Sequence, residues 1–303
     1  MARQWEAEAT IEADLALKLI QSQFPELNAL KIKLLGVGWD NTAYLINDQF
    51  VFRFPRRQIA VPLLKTELSL LPKIAGYLPL PIPIPKWAGS AGLGYPWPFS
   101  GYTMLLGSTA CSVYISDSER MALAKPLAEF LKALHGISKD SLEGCHVPKD
   151  LIGKLDVKRL GFEIKKNLEE IALLKLLENQ EKFHKILEDS TFLKPAHASV
   201  IVHGDFYARH VLVDQKNQLA GVIDWGDIHF GDPGVDLSIA HSFLPAEAHA
   251  EFCSVYGEIS ENSWLLGRLR ALFSCTIITL FGHHSGDSAI EKEGLRGLNQ
   301  IAR

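Results

Sequence analysis

Two rhythms of hydrophobic and polar positions run along this chain, and the switch between them divides it. Near the start, Ile11, Leu15, Leu17, Leu19 and Ile20 predict a helix running to about Phe24, with Thr10 placed to cap it and Pro25 to stop it. Strand-like runs follow at 30–37, 43–46 and 50–54. Gly36-Val37-Gly38 separates the first two and Asn47-Asp48 the last two, the pattern of a meander of hairpins. From Pro62 to about Leu71 the spacing turns helical, with Leu64, Leu68 and Leu71 on one face and Glu67 among them. Pro62 suits a first turn, and Pro72 marks an end or a kink. PLPIPIP at 79–85 is too rich in proline for a helix and must run extended. Residues 99–106 read as one more strand, closed by Gly107.

Beyond this point helices dominate. Leu127, Phe130, Leu131 and Leu134 follow the i, i+3, i+4, i+7 spacing of a helix that stops at His135-Gly136. Residues 155–189, rich in Leu, Lys and Glu, predict a helical hairpin with its Leu faces in a core. Further helices are expected over 233–242, 246–256, 261–283 and 286–301. One stretch departs from this: an apolar run ending in His203-Gly204-Asp205, then short β-like runs at 211–213 and 219–223. The expected fold class is therefore α+β, with a β-rich N-terminal lobe over 1–107 and a mainly helical C-terminal lobe over 108–303. A length of 303 residues agrees with two lobes rather than one core.

Composition narrows the class. Hydrophobic content of 47% with 22% charged residues excludes a disordered chain or a fibre. A net charge of −4, a pI near 6.3 and the lack of any long Lys/Arg block argue against a nucleic-acid partner. The opening MARQWEAEAT has no apolar signal core, and the longest apolar run, 271–282, is too short to span a bilayer. It reads as a buried helix, and a cytoplasmic protein without a membrane partner is expected. Cys111, Cys145, Cys253 and Cys275 lack CxxC spacing and read as buried thiols of a reducing compartment.

The candidate chemistry lies in 200–236, where polar residues stand at the ends of short strands and a rigid scaffold can present them to a ligand. Asp205 follows His203-Gly204, His210 comes five residues later, and Asp224 ends the last β-like run. By residue type the carboxylates suit a hard cation such as Mg²⁺, for which histidine is an atypical ligand. The same four residues by type also suit a zinc or di-metal hydrolase, but such an enzyme has no use for the β-rich lobe that precedes them.

The pattern HGDxxxxHVLVD followed by VIDWGDxxxGDPxxDL closely resembles the aminoglycoside phosphotransferase family, a branch of the protein-kinase-like fold. The resemblance covers nearly the whole chain and is most specific over 203–236. It implies a bilobal kinase-like fold and transfer of the γ-phosphate of ATP or GTP, with Mg²⁺, to a hydroxyl of a small molecule. Asp205 then matches the catalytic aspartate and Asp224 the metal-binding aspartate. His210 stands where the family usually has asparagine as a second metal contact, a departure shared with the macrolide phosphotransferase branch. VFRFPRR at 51–57 resembles that branch's N-lobe strand as well. Metal contact and simple packing both remain open for His210.

The same resemblance assigns parts in the first lobe. Arg53 stands where kinases place a strand lysine on the donor phosphates, and Glu67 is its natural ion-pair partner; an ordinary surface ion pair is the plainer alternative. Gly36 and Gly38 would belong to the loop over the nucleotide, a motif that means little alone. Met104-Leu105-Leu106-Gly107 matches the inter-lobe hinge, so backbone groups of Met104 and Leu106 are expected to hold the purine. His203 is expected to brace the loop, Asp232 to shape the GDP turn, and Asp236 to anchor the catalytic loop through backbone N–H groups. His283-His284 is expected to serve a helix end. A monomer is the default for the fold.

His210 in place of asparagine also motivates a second reading, a nucleotide-binding pseudokinase without turnover. The acceptor stays open. The region that forms the acceptor wall in the family offers acidic residues suited to a polycation (Glu247, Glu251, Glu258, Glu261, Asp287, Glu291). It also offers aromatic ones suited to a macrolide (Phe243, Phe252, Trp264, Phe273, Phe281).

Overall fold

Alternation in FVFRFP decides which side of the first sheet meets a core. Phe52 and Phe54 are fully buried with Phe99, and Arg53 between them points to the opposite face. The structure, a computed structural model, describes residues 7–38, 40–150, 152–196 and 200–303. It divides into two compact units. One holds the chain up to Gly76, Pro81–Leu105 and Leu142–Val147; the other holds Tyr77–Leu80, Leu106–Ser141 and Pro148–Arg303.

The first unit opens with α1 (Ala13–Gln23), followed by β1 (Ile32–Val37), β2 (Asn41–Ile46), β3 (Phe50–Pro55), α2 (Ala60–Ile74), β4 (Pro85–Gly89) and β5 (Phe99–Thr103). The strands form one antiparallel sheet in the order β1-β2-β3-β5-β4. Its core is aromatic: Phe54 stacks on Phe99 with ring centroids 4.5 Å apart, and Leu19 and Ile20 of α1 close over the same cluster. Thr10 is not the cap of α1; Glu12 holds that position and makes no side-chain cap bond. Gly36 lies within β1 at a register shift rather than in the turn. Pro72 does not end α2, which continues to Ile74. A proline two residues from the end removes only one helical hydrogen bond, which the last turn tolerates. The final strand stops at Thr103, three residues short of the expected end.

The second unit contains β6 (Ser108–Thr109), α3 (Asp117–Ala122), α4 (Ala124–His135), α5 (Val157–Leu173), α6 (Glu181–Asp189), β7 (Val200–Val202), β8 (Val211–Val213), β9 (Leu219–Val222), β10 (His229–Gly231), α7 (Gly234–Phe243), α8 (His249–Tyr256), α9 (Glu261–Ser285) and α10 (Ser288–Ile301). Two small sheets hold the loops of interest: β10 pairs with β7, and β8 lies between β6 and β9. The helices surround α9, which packs on α5, α7 and α10. Leu160, Ile164, Leu168 and Ile171 of α5 meet Leu269, Leu272 and Leu280 of α9 in one core. At 25 residues α9 is long and apolar enough to cross a bilayer by length and composition, but its most apolar window is 67% buried within the structure, so it serves as a core helix. Of the four cysteines, all unpaired, only Cys275 is buried; the others are half-buried.

The architecture is α+β, an antiparallel N-terminal sheet followed by a helical C-terminal part.

Candidate active site

The chain turns sharply after β7, and one glycine permits the turn. Gly204 has a φ of +90°, and a Cβ there would fall 2.2 Å from the Asp227 carbonyl oxygen. The loop is held from beneath by Asp236 in the first turn of α7, which is fully buried. Asp236 Oδ2 accepts the His203 N–H at 2.7 Å, and Oδ1 accepts the Gly204 N–H at 2.9 Å. His135, at the end of α4, lies with Nε2 3.2 Å from Oδ2, and its Nδ1 is 2.7 Å from the Tyr256 hydroxyl. Burial acts to raise the Asp236 pKa, yet the His135 hydrogen bond and the loop N–H groups hold it below the usual carboxylate value.

His203 is buried against Trp225, ring centroids 4.6 Å apart. Its Nδ1 accepts the Asp205 N–H at 3.3 Å, and its Nε2–H donates to the Ile223 carbonyl at 3.0 Å. Both ring nitrogens are thereby used in one neutral tautomer, and burial lowers the pKa further. The ring ties the loop after β7 to the end of β9. It braces the site.

Asp205, His210 and Asp224 are brought together. His210 is buried and donates Nδ1–H to the Asp205 main-chain carbonyl at 2.8 Å, with Asp205 Oδ2 3.5 Å from the same nitrogen. Its Nε2 faces Asp224 Oδ2 at 3.3 Å. Asp224 follows β9 with a φ of +62°, a left-handed conformation that few residues other than glycine adopt. Its side chain is 45% exposed and that of Asp205 34%. Both carboxylates therefore reach solvent from a loop that buried groups hold.

These residues fit a hard divalent cation. With Nδ1 committed to the Asp205 carbonyl, Nε2 is the remaining ring nitrogen of His210 and is the atom turned toward Asp224. One accessible carboxylate and one imidazole nitrogen leave room for water and phosphate oxygens, which Mg²⁺ prefers as most of its ligands. Among the described residues no group of three or more His, Cys, Asp or Glu has the arrangement of a metal site.

In the first unit, Arg53 and Glu67 meet as the sequence led one to expect. Arg53 Nη1 lies 3.0 and 3.2 Å from the two Glu67 carboxylate oxygens, and both side chains are nearly buried, at 11% and 6% exposed. This is not the exposed surface pair of the plainer reading. The Gly38 N–H bonds the Asn41 carbonyl and closes the turn after β1. The Met104 N–H is already committed to the Gln49 carbonyl at 2.8 Å; Leu106, in the other unit, is exposed.

The acceptor candidates sort differently from their sequence order. Glu247, Glu251, Glu258 and Glu261 point to solvent, Asp287 caps α10, and Glu291 lies 3.5 Å from His283. Phe243 and Phe252 are core residues. Phe273, also a core residue, lies under Arg270 at 5.0 Å, and Phe281 lies under Arg209 at 5.8 Å. His284 bonds Glu170, and the carbonyl of His283 takes the Gly286 N–H at the end of α9. Sequence reasoning missed Arg270, whose Nη2 is 3.9 Å from Asp205 Oδ1. The available signal was two arginines, Arg268 and Arg270, interrupting an apolar helix.

Residues 31–272 match the APH family of phosphotransferase enzymes. The chain belongs to that family. Among solved structures of similar fold, the GDP complex of wild-type aminoglycoside 2'-phosphotransferase-IIIa is 24% identical, with a TM-score of 0.68 over 96% of this chain and 99% of that one. Macrolide 2'-phosphotransferase type I is 18% identical, with a TM-score of 0.58 over 94% and 97%. The uncharacterized protein YcbJ of Bacillus subtilis (strain 168) is 22% identical over 264 residues, 81% of each chain. At these identities the likeness to the solved phosphotransferases is one of fold.

Proposed function

We propose that the chain is a small-molecule O-phosphotransferase that moves the γ-phosphate of ATP or GTP to an acceptor hydroxyl. One observation carries the reading: Asp205 and Asp224 are joined through His210 at 3.3 to 3.5 Å on a loop pinned by buried Asp236. Phosphoryl transfer asks for positioned charge rather than covalent chemistry, and this arrangement supplies it. Asp205, fixed at its main-chain N–H by His203, accepts the acceptor's proton on a carboxylate oxygen. Asp224, with His210 Nε2, would hold Mg²⁺, which when bound offsets charge on the phosphate oxygens. Arg53, braced by Glu67, serves the donor phosphates with a permanent charge. The GDP held by the aminoglycoside relative supports testing GTP beside ATP.

The test is a nucleotide-consumption screen on the purified chain with Mg²⁺. Both nucleotides are offered with amino alcohols, sugars, aminoglycosides and macrolides, and D205A is the control. Turnover above that control with at least one acceptor is expected. Nucleotide binding without turnover across the panel would favour the pseudokinase instead.

A further inference from the structure

Arg270 sits mid-way along α9 and is 8% exposed. Among the described residues its guanidinium makes no hydrogen bond: its contacts are the Phe273 ring at 5.0 Å and Asp205 Oδ1 at 3.9 Å, the latter beyond hydrogen-bond reach. A guanidinium has five N–H donors, and among the described residues no protein acceptor matches those of Arg270. Burial accordingly lowers the Arg270 pKa, while the charges of Asp205 and Asp227 oppose the shift.

A second guanidinium stands beside it. Arg159 of α5 lies over the same Phe273 ring at 5.7 Å, and its Nε–H is buried without a partner. Only its Nη2 is matched, by the Gly153 carbonyl at 2.7 Å. The two arginines repel, since Arg159 also acts to lower the Arg270 pKa. Nearby carboxylates are engaged elsewhere. Asp227 pairs with buried Lys154 at 3.0 Å, Asp150 accepts the N–H groups of Ile152 and Lys154, and Asp205 is the reacting group.

We infer that Arg270 and Arg159 form an anion-binding subsite beside Asp205, and that the acceptor hydroxyl belongs to a small molecule bearing a carboxylate or phosphate group. This rests on the phosphotransferase reading. Planar guanidinium forks match both anions, and an anion here would satisfy donors that the protein leaves open. A polycationic acceptor would meet two like charges at this place.

The nucleotide-free chain is titrated with inorganic phosphate, malonate and ethanolamine, and binding is followed by thermal shift in wild type, R159Q, R270Q and R270K. Both anions should stabilise the wild type and ethanolamine should not. Affinity for the anions should fall roughly 10- to 100-fold in R159Q and R270Q and in part return in R270K. Because Arg159 is part-exposed, R159Q gives a reading even where R270Q folds poorly. Failure of either anion to bind, or binding unchanged in R159Q, overturns the subsite. In the acceptor screen, hydroxy acids and sugar phosphates should be used in preference to amino alcohols, and R159Q should lose that preference. Turnover confined to cationic acceptors, or an equal loss in R159Q for charged and neutral acceptors, overturns the assignment while leaving the kinase intact. Anion binding that depends on both arginines in a chain consuming neither nucleotide would reject the kinase and leave the subsite standing.

Discussion

Asp236 accepts the Gly204 main-chain N–H at 2.9 Å, so a helix start fixes the backbone beside the proposed base. Removing that carboxylate strands three donors: the N–H groups of His203 and Gly204, and His135 Nε2. Each buried unmatched donor costs about 1–3 kcal/mol. Asp236→Ala should therefore destabilise the chain by about 3 kcal/mol or more, read from its urea midpoint, and Asp236→Asn by less. A shift under about 1 kcal/mol in Asp236→Ala would deny the carboxylate this role.

Asp205 is proposed to take the acceptor's proton. Asp205→Ala should lower kcat by about 10²- to 10⁴-fold and leave nucleotide affinity near native. The comparison needs turnover and nucleotide titration on the same preparation. Near-native turnover in the variant would end the assignment.

Asp224 and His210 are proposed to share the cation. Asp224→Ala should abolish the Mg²⁺ dependence of nucleotide-induced thermal stabilisation. His210→Asn should retain part of it, because an amide can still donate to the Asp205 carbonyl and turn its oxygen toward Asp224, whereas His210→Phe should retain none. An unchanged Mg²⁺ response in Asp224→Ala would remove that residue from the site.

Acid sensitivity should have an identifiable source. His241 donates Nε2–H to the Trp264 carbonyl, and its pKa is pushed down to about 3 by burial and then by neighbouring His249. In the unfolded chain it titrates near 6.5. Between those values the unfolded state binds the extra proton, so stability falls as pH drops from about 6.5 toward 3. His203 and His249, whose pKa values are also lowered by burial, act in the same direction. His241→Gln should flatten the decline in urea midpoint between pH 7 and 5. Equal slopes in the two proteins would locate the sensitivity elsewhere.

Much of the site was readable before any folding. Asp205 and Asp224 stand at strand ends in a run whose spacing is specific, and Arg53 with Glu67 lies within one strand and the next helix. Such relations are local or carried by a motif. Element boundaries were less readable: β6 and β10 are two and three residues long, too short for alternation to register. Which of the acidic candidates could face an acceptor was not readable, because composition alone does not say which face of a helix meets solvent.

The sequence by itself determined the α+β class, the long helices and the two aspartates, since periodicity and motif spacing are properties of the chain. The tertiary structure decided what surrounds them. His135 reaches Asp236 from α4, and His203 is clamped between two strand ends. Arg270 comes beside Asp205 from α9, the core helix. Burial and proximity across distant elements set those contacts, and neither is encoded in the spacing of neighbours along the chain.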